Sequence, residues 1–160
     1  ALRIESIENQ YTKVIIQLPK ATPPQWFVSK IDLSKIKNII ILDDNLEIHY
    51  LWSKVLTGCD ATINNFRSAD ELITWYQQSK VDWSQSLFLL DFELDATTVN
   101  GLDVIQQLNI ACNSILVTSR YEDNDILTKC IKIGVRLVPK TLVSIVPIEL
   151  ASNECAIALV

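Results

Sequence analysis

The 160-residue chain contains no methionine, one histidine and only three glycines, Gly58, Gly101 and Gly134. That scarcity of glycine leaves no glycine-rich loop to cradle a nucleotide phosphate. No apolar run approaches the roughly 18 residues of a membrane helix, and no signal peptide is visible, so direct membrane insertion is not expected. Lys and Arg are scattered singly against a formal charge of −5 and a pI of about 4.8, which excludes the basic face of a nucleic-acid binder. The four cysteines (Cys59, Cys112, Cys130, Cys155) form no CxxC pair and share no compact spacing with His49. Buried free thiols of a cytoplasmic protein are expected, not a disulfide frame or zinc site. A hydrophobic content of 49% and a mean hydropathy of +0.21 supply a real core.

Two patterns divide the chain. Residues 2–7 (LRIESI) and 12–18 (TKVIIQL) alternate as a hairpin would, and a stretch with three of the five prolines follows. Residues 1–34 are expected to be the tail of a preceding domain plus linker, in a fragment of a longer polypeptide. From residue 35, strands and helices alternate: strands at 36–42, 61–66, 86–90, 114–119 and 135–139, helices at 46–56, 68–78, 101–108 and 124–133. Gly134 closes the fourth of these helices, and a last helix is expected within 142–158 despite Pro147. Five βα units predict an α/β fold: a doubly wound, five-stranded parallel sheet with helices on both faces.

In such folds the working groups sit at the carboxyl ends of strands. Here those ends carry Asp43 and Asp44 in ILDD, Asp91 in LFLLD, Thr118 in ILVTS and Lys140 in RLVPK. Each alone has a bland explanation: Asp caps helices, Thr suits strands, and Lys after a strand is commonly solvated. Together they place three carboxylates, a hydroxyl and an ammonium on one sheet edge. Carboxylates crowded this way repel unless a cation or phosphoryl group offsets them.

In this order the residues resemble those of receiver domains of two-component signalling, over roughly residues 36–158. The resemblance implies strand order 2-1-3-4-5 and Asp91 as the phosphoacceptor, with Thr118 and Lys140 assisting. It implies Mg²⁺ held by Asp43, Asp44, Asp91 and the backbone carbonyl of Glu93, since that ion takes hard oxygens. The partners implied are a histidine kinase or a histidine phosphotransfer domain, docked on the first helix where Leu46 and Tyr50 lie off the core face; a homodimer is open to it. The hairpin's KVIIQLPKA is similar to the last strands of a histidine-kinase ATPase domain, implying the receiver of a hybrid sensor kinase. A receiver-like interaction module without phosphorylation is the alternative. Phosphatases of the haloacid dehalogenase type share Asp, Thr and Lys, but their nucleophile sits on the first strand and their acidic pair follows the Lys. Three features depart from the family. Gly101 stands ten positions after Asp91, Glu93 and Asp95 add carboxylates to that loop, and Leu137 replaces the aromatic that often moves with the Thr. His49, with no orienting acid in sequence, is expected at the surface.

Overall fold

A computed structural model describes residues 1–94 and 99–150. Strands β1 (Leu2–Ile7) and β2 (Tyr11–Ile16) form the expected hairpin, with Leu2 opposite Ile16 and Ile4 opposite Val14. Short β3 (Ile31–Asp32) follows. The chain then runs β4 (Asn38–Leu42), α1 (Leu46–Val55), β5 (Thr62–Phe66), α2 (Ala69–Gln78), β6 (Ser86–Asp91), α3 (Gly101–Leu108), β7 (Ser114–Thr118), α4 (Asn124–Ile133), β8 (Arg136–Pro139) and β9 (Ile148–Glu149). The five main strands are parallel in the order β5-β4-β6-β7-β8. Counted along the alternating part of the chain this is 2-1-3-4-5, as expected.

The strands form here because β-branched and aliphatic residues fill both faces of each one. Ile40, Leu42, Phe88, Leu90, Leu116 and Leu137 point to the side covered by α2, α3 and α4. Their neighbours Ile39, Ile41, Leu87, Leu89, Ile115, Val117 and Val138 point to the opposite side, where α1 inserts Ile48 and Trp52. Helix starts follow local capping chemistry. Asn45, Ser68, Asn100 and Asp123 each accept a backbone N–H of the first turn, and Asn100 with Asp103 makes a reciprocal capping box. At α2 the box is split, because Glu71 accepts the N–H of Arg67 while Ser68 accepts that of Glu71. Gly134 ends α4 in the left-handed conformation, φ 76°.

One expectation is corrected. The last helix does not form over residues 142–150; a single 3₁₀ turn (Lys140–Leu142) leads instead to β9. Pro147 has no N–H to give a helix, and its carbonyl accepts the N–H of Ile31 at 2.9 Å, drawing this segment into the pairing of β9 with β3. Residues 151–158 of that expected helix lie outside the described residues. The stretch ahead of residue 35 packs against this core. Val28 donates to the carbonyl of Leu137 and Leu137 to that of Trp26, at 3.0 and 2.8 Å, so residues 26–28 lie along the edge of β8. Val28, Ile31 and Leu33 are buried in the same core as Trp52. This strap, with Val143 and Val146, covers the α1 side of the sheet beyond α1 itself. Full burial of Val28 alone stabilises by about 2 kcal/mol.

The three described cysteines are free, but only Cys130 is buried; Cys59 is half-buried and Cys112 exposed. Burial pushes the Cys130 thiol up to about 11, which makes it inert core filling. Cys155 and Asp95 lie outside the described residues. No helix among the described residues is long and apolar enough to cross a membrane.

Candidate phosphoacceptor site

Sheet register builds the site. Leu42 pairs with Leu90, so Asp43 and Asp91 leave adjacent strands at one level. Asp91 pairs with Val117, and Thr118 with Pro139, which places Thr118 and then Lys140 at the same carboxyl edge. Asp43, Asp44, Asp91, Thr118 and Lys140 are therefore brought to one end of the parallel sheet. Asp43, Asp91 and Thr118 are buried there, and Asp44 is half-buried.

Lys140 ties the acids together. Its ammonium donates to Asp91 Oδ2 at 2.6 Å and lies 2.9 Å from Asp43 Oδ2. Burial disfavours the charged ammonium, but the two carboxylates outweigh that, and the pKa is raised above its usual value. For Asp91 the balance runs the other way. Desolvation is the largest influence and raises its pKa from 3.8 to about 6, with Asp43 adding to the rise. The Lys140 hydrogen bond and the Glu93 N–H, which donates to this carboxylate, pull it back only in part.

The donor set suits a hard divalent cation. One carboxylate oxygen each from Asp43, Asp44 and Asp91 lie within 4.8 Å of one another. Asp43 Oδ1 accepts the N–H of Asn45 at 2.9 Å, whereas buried Oδ2, though ion-paired, receives no aligned hydrogen bond. The Lys140 ammonium offsets part of the charge crowded here, and the remaining carboxylate oxygens are left for a further cation. Mg²⁺, with its preference for carboxylate and carbonyl oxygens, fits.

The side chain of Glu93 is exposed and turns away to Arg120, 3.5 Å distant. Arg120 also pairs with Asp123, and its guanidinium lies over the ring of Phe92. Its N–H donates to Thr118 Oγ1 at 3.0 Å, so the hydroxyl is engaged in its own loop. Sequence reasoning missed Arg120; its position two residues beyond Thr118, where α4 has not yet begun, was the available signal. It also misplaced His49, which is only 8% exposed. The ring lies between α1 and β5, bonded to Asp43 and Asn65. The signal was its spacing of three residues from Trp52 on the same helix.

No family model matches the chain, and no curated protein sequence matches it significantly. Solved structures do. The CheY-like response regulator receiver domain protein from Methanospirillum hungatei superposes with a TM-score of 0.53 at 18% identity, over 66% of this chain and 82% of that one. The signal receiver domain of an HD domain-containing protein from Pseudomonas fluorescens gives 0.53 at 20% identity, over 70% and 83%. The fold is that of a receiver domain. The BeF₃-activated DrrB receiver domain is similar too, with a TM-score of 0.52 at 17% identity over 66% and 85% of the two chains. The receiver fold accounts for the sheet order.

Proposed function

We propose that this chain is the phosphoacceptor of a two-component phosphorelay, accepting a phosphoryl group on Asp91. The observation that carries the reading is the single ammonium of Lys140 shared between Asp91 and Asp43, with Asp44 inside metal-ligand range. A carboxylate oxygen of Asp91 attacks the phosphorus of a phosphohistidine; the new P–O bond forms as the P–N bond breaks, and the imidazole leaves. Mg²⁺, held by Asp43, Asp44, Asp91 and the Glu93 carbonyl, would neutralise charge on the phosphoryl oxygens. Lys140, ion-paired with both Asp43 and Asp91, supplies positive charge beside the phosphoryl group and is already desolvated and in place. The acyl phosphate adds charge of about −1.5 to −2. Thr118 Oγ then exchanges the N–H of Arg120 for a phosphoryl oxygen, which shifts the loop carrying Arg120 and its pairs to Glu93 and Asp123. A bias of a few kcal/mol suffices for such a switch.

The donor or acceptor is a histidine kinase or histidine phosphotransfer domain in the cytoplasm. Leu46 and Tyr50, 61% and 60% exposed beside the site on α1, offer it an apolar docking face. Residues 1–34 are the tail of a preceding domain plus linker in a hybrid sensor kinase; the exposed face of Leu2, Ile4, Val14 and Ile16 on a two-stranded hairpin supports this. Thermal melting with Mg²⁺ and beryllofluoride tests the reading. The expected result is a rise of roughly 5 °C that needs both additions, is absent in Asp91→Asn, and survives deletion of residues 1–18. No shift in the natural protein would contradict a phosphoryl site and favour the alternative of an interaction module.

A further inference from the structure

The geometry points to His49 as a positioning residue that sets the mutual orientation of the metal-binding carboxylates, an inference that rests on the Mg²⁺ reading above. Besides its ion pair with Lys140, Asp43 is held at three points. Its N–H donates to the carbonyl of Phe66 at 3.1 Å, its Oδ1 accepts the N–H of Asn45 at 2.9 Å, and its carbonyl lies 2.6 Å from His49 Nε2. A backbone carbonyl can only accept, so Nε2 carries the hydrogen and donates. The other ring nitrogen, Nδ1, lies 3.0 Å from the side-chain amide of Asn65; with the hydrogen on Nε2 it accepts there, so the amide presents its N–H₂, the O and N of an Asn amide being interchangeable by a half-turn. Asn65 is on β5, opposite Ile41 of β4, so the ring is fixed between the first helix and the strand next to Asp43.

The third of these contacts matters most for the site. The carbonyl of Asp43 belongs to the peptide that joins Asp43 to Asp44, two of the three carboxylates in ligand range. Without a donor in this buried position the peptide would turn to find one, since an unpaired buried carbonyl is costly. Any such turn tilts Asp44 relative to Asp43 and Asp91. An apolar side chain of similar size would fill the space between α1 and β5 but would leave that peptide unheld. The Asn65–His49–Asp43 chain is therefore a support for the ligands, in the way outer-shell hydrogen bonds orient metal ligands elsewhere.

Calorimetric titration of the full chain with Mg²⁺ tests this, using His49→Leu, His49→Gln and Asn65→Ala, with Asp44→Asn as the site control. Removal of both hydrogen bonds in His49→Leu is expected to weaken Mg²⁺ binding by about tenfold or more. Gln carries its amide nitrogen at the place of Nε2, keeps the donor to Asp43, and is expected to bind within about threefold of the natural chain. Should the Leu variant fail to fold by circular dichroism, Asn65→Ala replaces it, with an expected loss of about threefold. A folded Leu variant with natural affinity, a Gln variant no better than Leu, or an unchanged Asn65→Ala would each overturn the role. A natural chain that takes up no Mg²⁺, or an Asp44→Asn chain that binds it equally, would instead overturn the metal site itself and this role with it.

Discussion

Asp91→Asn is expected to raise the melting temperature of the metal-free protein at about pH 7.5 while abolishing phosphorylation. The stability gain follows from the charge it removes. Asp91 is buried, its pKa is raised from 3.8 to about 6, and burial is the leading cause. The folded state therefore binds the proton more tightly than the unfolded chain does. As far as this group is concerned, stability is highest below the unfolded pKa, falls as pH rises from about 4 to 6, and is flat above that. A rise of roughly two pKa units at 1.36 kcal/mol per unit corresponds to a penalty on the order of 2–3 kcal/mol once Asp91 is ionised. Asn is nearly isosteric, carries no charge, and leaves Lys140 ion-paired with Asp43. For a chain of this size the gain is roughly 5 °C or more. It should shrink towards zero near pH 4, where Asp91 of the natural protein is protonated. Melting curves of both proteins from about pH 4 to 8 check this; a variant that melts at or below the natural protein above pH 6 would refute it.

The largest loss of stability among single conservative changes is expected from Gly101→Ala. A Cβ at Gly101 would lie 1.9 Å from the carbonyl oxygen of Asp91 and 2.9 Å from its carbonyl carbon. The obstacle is main chain, not a side chain that can swing aside. The Gly101 N–H also donates to the carbonyl of Phe92 at 3.2 Å, so the start of α3 is locked against the segment that leaves β6. Relief of the overlap requires α3 to retreat, which uncovers Leu102, Val104 and Ile105, or the Asp91 peptide to move. We expect a loss of about 3 kcal/mol or more. Because the strain falls on the peptide of Asp91, Mg²⁺ binding should weaken as well. Urea unfolding and Mg²⁺ titration of the variant measure the two effects. Unchanged values for both would mean that the packing of α3 on β6 has been misread.

Most of the fold was legible because strand and helix periods are clean from residue 36 onward, and both faces of the sheet are apolar. Asp43, Asp44, Asp91, Thr118 and Lys140 were legible for a related reason: they are the polar residues that punctuate apolar strands, and parallel register carries them to one edge. What the sequence concealed is non-local. Val28 and Ile31 sit in a Pro-rich, turn-like stretch with no period, and only pairing with Leu137, Pro147 and Glu149 makes them core. The same pairing diverts residues 147–149 from the expected helix into β9. His49 reads as a surface residue on an amphipathic helix until Asn65, sixteen residues on, closes over it. Leu137, which stands where an aromatic switch was sought, is buried with both its backbone groups held by the strap.

The central claim is that Asp91 takes a phosphoryl group with help from Mg²⁺. Its most direct test is the intact mass of the chain after incubation with acetyl phosphate, with and without Mg²⁺, beside Asp91→Asn. One phosphate adduct of about 80 Da (the added HPO₃) is expected, dependent on magnesium and absent from the variant. An adduct of equal yield in Asp91→Asn, or none with either acetyl phosphate or a phosphohistidine donor, would contradict it.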